Sequence, residues 1–401
     1  MSRQRQRGVA MVIVVAGLFA ILAVVGLALD ASHLIYNKAR LQGIVDATAL
    51  TAAKALDQTG SDTAATAAAT AVFQTNLASS AEMQRILGVG AVPTITYSKL
   101  ISPYISEVSG TVGLHYVRIS VANLSISSGL LGLVGVRSLP VRASAIAGPS
   151  PAVGIACNIV PIALCTNGGS DFGYPATKIH ALQTGAGTTP GYIRYLQFDD
   201  TGGASAVRQQ LAGGFSSCVL NAGERIAIKT GVNSGPVQQG FNTRFNQYAS
   251  NLSPTQYPPD PIQRTPSPAL VIDNNGVITQ GGTTVTQISQ INYSYSVYAA
   301  ALRNGPYDLT PVPVGQAVFK RRVVAAPMVD CASEVSKTVP VKGFRCLFLL
   351  QAADVSGTTL SMPVEIAPEC EAGGRPGPVP PGTAGGVYVI ELYRDPSSPD
   401  S

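Results

Sequence analysis

Residues 8–29 read GVAMVIVVAGLFAILAVVGLAL, and residues 30–56 continue as DASHLIYNKARLQGIVDATALTAAKAL. The first stretch is 22 residues without a charge. As an α-helix it would measure about 33 Å, enough to cross a hydrocarbon core of about 30 Å. A secretory signal has a shorter apolar core, about 7–15 residues, and ends at a small-x-small cleavage site. Here the run closes with Leu27-Ala28-Leu29-Asp30, and the nearest substitute site, Val24-Val25-Gly26, would cut inside it. Residues 1–29 are therefore expected to be a short tip and a retained transmembrane helix.

Charge and cysteine placement orient the chain. Arg3, Arg5 and Arg7 precede the run, whereas Lys38 and Arg40 follow it, partly offset by Asp30. The excess of positive charge keeps the amino terminus in the cytoplasm. All six cysteines (Cys157, Cys165, Cys218, Cys331, Cys346, Cys370) come late in the chain, and an even number suits an oxidising compartment. They are disulfide candidates. Cys157 with Cys165 is the most local pairing and Cys331 with Cys370 a second, although six cysteines permit fifteen connectivities. Zinc is the rival use, but there is no C-x-x-C pair, and His33, His115 and His180 are far from any cysteine in sequence.

Beyond Asp30 the pattern stays helical to about Leu56. Leu34, Leu41, Val45, Thr48, Ala52 and Ala55 recur at spacings of one helix face, which Ala49 joins. Gly60-Ser61-Asp62 supplies a stop and a new N-cap, and a second alanine-rich helix is expected from about Asp62 to Leu87. The alanines either let another helix approach closely or simply reflect strong helix propensity.

The remainder of the 401 residues changes character. Only 12% of the chain is charged, against about 25% in ordinary soluble domains, and 41 glycines with 28 prolines favour turn-rich β structure. YVRISVANLSI (116–126) alternates as a strand does, and LPVRASAIAG (139–148) is a second, ending at a module boundary in Gly148-Pro149-Ser150-Pro151. LVIDNNGVITQ (270–280) reads as two short strands joined at Asn275-Gly276. RRVVAAPMVD, KGFRCLFLLQ and TTLSMPVEI form a meander, and VYVIELYR is a final strand after a proline- and glycine-rich linker.

Chemistry is sparse. No H-E-x-x-H, G-x-S-x-G, phosphate-binding glycine loop or dinucleotide fingerprint occurs, so no catalytic, cofactor or metal residues are assigned. His115 is expected in a sheet. Asp199-Asp200, followed by Thr201-Gly202-Gly203, is expected to be a solvated turn, and Asp273-Asn274-Asn275-Gly276 a hairpin turn in place of a calcium loop. In QGFNTRF (239–245), Asn242 and Arg244 either bind a partner or satisfy backbone groups. Outside the opening arginines there is no basic stripe with interleaved aromatics, which argues against nucleic acid as a partner.

Arg7-Gly8, the apolar run, Asp30, Leu41-Gln42, Asp46-Ala47, Ala49-Leu50 and Ala52-Ala53 together resemble the amino-terminal segment of TadG-like proteins. These belong to the tight-adherence (Flp) pilus assembly systems of bacteria. GPVQQGFNTRF (235–245), RRVVAAPMVDC (321–331) and GGVYVIELYR (385–394) also resemble the periplasmic portion of such proteins. Two features depart from the pattern. If Gly8 were a prepilin cleavage site, the fifth mature position would be Ile13 in place of glutamate, and no D-x-S-x-S metal motif occurs.

The resemblance implies a non-enzymatic, single-pass protein of the bacterial inner membrane, an accessory or minor-pilin-like component of pilus assembly. Its stem face (Leu34, Leu41, Val45, Thr48, Ala49, Ala52, Ala55) would meet other pilus-assembly or pilin-like membrane proteins. Its remaining partner would be membrane lipid; no cofactor, nucleic acid or small molecule is expected. The alternative is an anchored envelope or surface-binding protein on the same stem. The fold class expected is α+β: a transmembrane helix, an alanine-rich helical stem and a β-rich periplasmic region. The divisions are 1–29, tip and span; 30–90, stem; 91–150, a small β module; 151–370, a disulfide-containing β-rich domain; 371–386, linker; and 387–401, terminal strand and tail.

Overall fold

A computed structural model describes residues 6–88, 90–127, 129, 135–169, 171–197, 203–213, 218–220, 223–231, 234–249, 251–307, 316–377 and 386–398. It has the α+β character read from the sequence, a long amino-terminal helix followed by a β-rich region. The chain forms two compact units. One takes in residues through Leu56, Ser61–Gly148 and residues from Glu391 on; the other takes in Asp57–Gly60 and Pro149–Ile390.

The first unit begins with α1 (Gln6–Thr59), a single helix of 54 residues, about 80 Å long at 1.5 Å per residue. No proline interrupts it. α2 (Asp62–Ala78) and α3 (Ala81–Leu87) follow in place of the one helix expected to Leu87. The break has a local cause. Ser80 leaves helical geometry and its hydroxyl accepts from the Met83 amide, as Ser61 accepts from Ala64 at the start of α2. His33 lies 3.5 Å from Glu82, so α2 and α3 run back along α1.

Strands β1 (Thr94–Ser98), β2 (Tyr116–Ser127) and β3 (Ser138–Pro149) form an antiparallel sheet whose fourth member is Ile390–Tyr393. Val117, Ile119 and Val121 are buried, then Leu124 and Ile126. The parity changes from odd to even, and a register shift between Val121 and Leu124 absorbs the extra residue. Without that irregularity Leu124 and Ile126 would turn to the opposite face. Arg118 donates to Asp395 at 2.6 Å, and the Tyr116 and Tyr393 rings meet edge-on, which fastens the last residues to β2.

In the second unit, six strands close a ring: Thr359–Ala367, Ile179–Thr184, Tyr192–Tyr195, Ile162–Cys165, Val323–Val329 and Thr338–Leu349, the last pairing back to the first. Both faces of these strands are buried. Ile162, Leu164, Met328, Leu347 and Val364 share one cluster with helix residues Leu211 and Phe241, while Ala163, Val329 and Phe348 belong to another. The expected meander is present as the antiparallel run Val323–Val329, Thr338–Leu349 and Thr359–Ala367. LVIDNNGVITQ forms its hairpin, with Leu270 opposite Gln280 and Ile272 opposite Ile278. The turn carboxylate of Asp273 accepts from the Asn275 and Val277 amides, so it closes the turn.

Three expectations need correction. Within the segment 371–386, expected to be an irregular linker, Gly373–Pro376 is a strand paired with Val153–Cys157, while residues 378–385 lie outside the described residues. Glycine makes this possible: Gly374 has φ +138°, and a Cβ there would strike the Ile155 carbonyl. VYVIELYR is two strands, Gly386–Tyr388 and Ile390–Tyr393, in different sheets.

The disulfides also differ, joining Cys157 to Cys218, Cys165 to Cys331 and Cys346 to Cys370. Cys157 cannot take Cys165 because the two end strands of different sheets, and Cys157 faces Cys218 across a strand pair. Cys331 follows the strand that runs parallel to Cys165 and pairs there, which leaves Cys370 for Cys346.

Candidate functional site

The sequence feature with the clearest physical demand is α1. Met11, Val12, Ile13, Val14, Phe19 and Ile21 are each more than 60% exposed, and exposure of large apolar residues continues to Leu29. The most apolar 18-residue window has a mean hydropathy of 3.0, with 6% of it buried in the chain's own fold. An apolar surface of this size is not stable in water, and the helix is long and apolar enough to cross a membrane. Arg3 and Arg5 lie outside the described residues.

Past Asp30 the environment inverts. Leu41, Val45, Thr48, Ala49 and Ala52 are fully buried, and Leu34 and Ala55 are half-buried. The chain itself covers this face. Thr48 returns its hydroxyl to the Ile44 carbonyl, while Gln42, beside the buried stripe, donates to both Asp46 and the Ser144 carbonyl on β3. The stem face expected to receive other proteins is thus already filled by intramolecular packing. Periodicity identified which residues are buried but carried no information on what buries them. Ile35 and Tyr36, 67% and 60% exposed, are the large apolar residues of α1 past Asp30 that remain open. Sequence reasoning passed over them, and their position off the 3–4 spaced stripe was the available signal.

At the far end of the stem, Asp62 begins α2. Its carboxylate accepts from the Ser109 hydroxyl at 2.6 Å and the Gly110 and Thr63 amides at 2.9 and 2.8 Å. These bonds, the Ser109 one foremost, hold its pKa below the usual carboxylate value. Tyr97 donates to the Asp62 carbonyl and also meets the Thr66 hydroxyl.

The proposed contact loop at Asn242 and Arg244 is interior, with 7% and 2% exposure. Asn242 donates to the Ala353 carbonyl at 3.0 Å and accepts from the Ala353 amide at 2.8 Å. Arg244 donates to the Leu211 carbonyl at 2.7 Å and stacks on Phe241. Both satisfy backbone groups and hold the fold together, so neither is placed to meet a partner.

Sequence reading missed Arg322. It is fully buried, with Phe245, Tyr293, Tyr298 and Phe348 around its guanidinium at 4.7 to 5.5 Å. It donates twice to the Leu349 carbonyl and once each to Ile262, Arg264 and Leu350. Nearby Asp260 accepts from the Tyr298 hydroxyl at 2.5 Å and the Ile262 and Arg322 amides. Burial outweighs these donors and the Arg322 charge, and raises the Asp260 pKa to about 6. The only trace in sequence was the Arg321-Arg322 doublet opening an apolar strand.

An open groove of about 600 Å³ in the second unit is lined by Tyr174, His180, Gln183, Tyr192, Asn275 and Thr286 among others. His180 meets the Pro175 carbonyl at 2.9 Å, and burial lowers its pKa, so it is neutral at pH 7. His115 lies just before β2, its amide bonded to the Ser98 carbonyl. Asp199-Asp200 lies outside the described residues. Among the described residues, no group of three or more His, Cys, Asp and Glu side chains could hold a metal ion.

Residues 8–55 match the Tad family, described as "Putative Flp pilus-assembly TadE/G-like". The matched segment is α1 from the start of the apolar run to near its end. No curated protein and no solved structure matches the chain.

Proposed function

From a chain whose residues 8–55 are TadE/G-like, of the Flp pilus-assembly type, we propose a membrane-anchored accessory or minor-pilin-like component of that assembly, without catalytic activity of its own. One observation carries the reading. The family match falls on a helix that is apolar and exposed through Leu29, then buried along one face from Leu41. That division is what a single-pass anchor with a folded domain immediately outside the bilayer requires.

The amino terminus lies in the cytoplasm and the chain beyond Asp30 in the periplasm. The excess of arginine before the span and the three disulfides support this orientation. Protein contacts are made by surfaces of the folded domains, since the alanine-rich face is occupied.

The test is a chromosomal deletion complemented by the full chain, with filaments counted by electron microscopy and the protein followed through alkaline carbonate extraction. Loss of filaments, restored by complementation, with the protein retained in the membrane pellet supports the assignment. Normal filament numbers in the deletion strain would sink the assembly role, and release by carbonate would sink the anchor.

A further inference from the structure

The carboxylate of Asp30, the first charge after the apolar run, accepts from the Gly129 amide at 3.0 Å. Gly129 belongs to the connection between β2 and β3, two residues beyond Ser127, which pairs with Ser138. Gly129 is therefore held where α1 leaves its exposed apolar stretch. The opposite end of the same unit is marked by Asp62 and its bonds to Ser109 and Gly110, about 40 Å further along the helix axis.

The side chains on α1 just past its apolar run, and those next to Gly129, have an unusual composition for a water-facing surface. Leu29, Ile35 and Tyr36 on α1 are 59%, 67% and 60% exposed, and Val136 beside the turn is 39% exposed. Arg137 next to it is exposed, and Arg40 donates to the Tyr36 hydroxyl at 3.2 Å. From Ser127 to Val136 the sequence carries no charge. Tyrosine and arginine about two and three helical turns beyond an apolar span, as Tyr36 and Arg40 are, are side chains that settle in the headgroup layer, the ring in its apolar part and the long cationic side chain reaching toward phosphate.

We propose that this end of the first unit is a second lipid contact, seated in the headgroup–acyl boundary of the leaflet from which α1 emerges. Leu29, Ile35, Tyr36 and Val136 enter the boundary, and Arg40 and Arg137 meet lipid phosphates. The occupant is lipid because these side chains follow directly on the apolar run of α1 and Gly129 is pinned to the residue that ends it, Asp30. This inference rests on the anchor assignment above. With two separate attachments, the unit would be fixed in tilt and rotation at the membrane, which a lone helix cannot do.

The experiment uses the full chain in phosphatidylethanolamine–phosphatidylglycerol vesicles, with a nitroxide on a single introduced cysteine and the disulfides left oxidised. Val136→Cys reports the turn, Ile21→Cys the apolar run, and Val108→Cys, at a site 78% exposed, the distal end of the unit. Collision with oxygen, which concentrates in lipid, is compared with collision with a water-soluble nickel chelate. The expected result is an oxygen-to-nickel ratio at position 136 several-fold above that at 108 and approaching that at 21. A ratio at 136 equal to that at 108, with 21 still lipid-like, would overturn the second contact and leave the anchor standing. Water-like ratios at both 21 and 136 would overturn the anchor, and this proposal with it.

Discussion

Replacing Arg322 with methionine keeps a long apolar stem inside the ring of aromatics but removes every side-chain donor. Four backbone carbonyls (Leu349, Leu350, Ile262 and Arg264) then lose the guanidinium. Leaving a buried acceptor unsatisfied costs about 1–3 kcal/mol, so even the low end sums to about 4 kcal/mol for the four. Total stability of a domain is about 5–15 kcal/mol. The substitution therefore removes a large fraction of it. Arg322→Lys retains a charge and up to three donors and should fall between methionine and wild type. Urea unfolding in detergent micelles, read by tyrosine fluorescence of a chain with 15 Tyr and no Trp, measures the difference. At an m-value of about 3 kcal/mol/M the midpoint should drop by at least about 1.3 M. If Arg322→Met unfolds within about 0.3 M of wild type, equivalent to about 1 kcal/mol, the carbonyl cage is not what stabilises this core and the reasoning is wrong.

Ala52→Trp overpacks a fully buried position and should destabilise the first unit by about 1–3 kcal/mol, seen as faster proteolysis before any effect on filaments; Ile35→Ala, at an exposed position, should move stability by less than about 0.5 kcal/mol. Non-reducing peptide mapping should recover the pairs Cys157–Cys218, Cys165–Cys331 and Cys346–Cys370, and recovery of a Cys157–Cys165 peptide would contradict the strand arrangement. Asp260 gives a pH signature: its folded pKa of about 6 lies above the ordinary value of 3.8, so its contribution is complete below about pH 4 and is lost as pH rises through 6. The loss is at most about 3 kcal/mol, 2.2 pH units at about 1.36 kcal/mol each. Urea midpoints of wild type should therefore fall between pH 4 and 7 relative to those of Asp260→Asn, and parallel curves would remove Asp260 as the titrating group.

Local pattern explains what could be read before the fold was known. The charge-free run, the stripe from Leu41 to Ala52, the alternation in β2 and the Asn275-Gly276 turn each depend on neighbours a few residues away. The missing parts depend on partners far along the chain. Gln42 reaches Ser144, Asn242 pairs with Ala353 and Arg322 gathers carbonyls from residues 262 to 350. Cysteine pairing failed for the same reason, since the choice between Cys165 and Cys218 for Cys157 was made by sheet order. A glycine-rich segment was read as irregular because its value as a close-approach strand, seen at Gly374, exists only opposite Ile155.

The four-stranded sheet of the first unit takes its last member from Ile390–Tyr393, about 240 residues after β3. At a synthesis rate of about 5–20 residues per second, β3 waits roughly 12–50 s for the neighbour that covers its open side. During that interval an unpaired edge is available to any passing chain, a recognised route to aggregation. The arrangement also makes the first unit a record of translation through Tyr393. A polypeptide that stalls or is clipped before Tyr393 can form its helices and all three disulfides, yet it leaves that edge open for a protease to find.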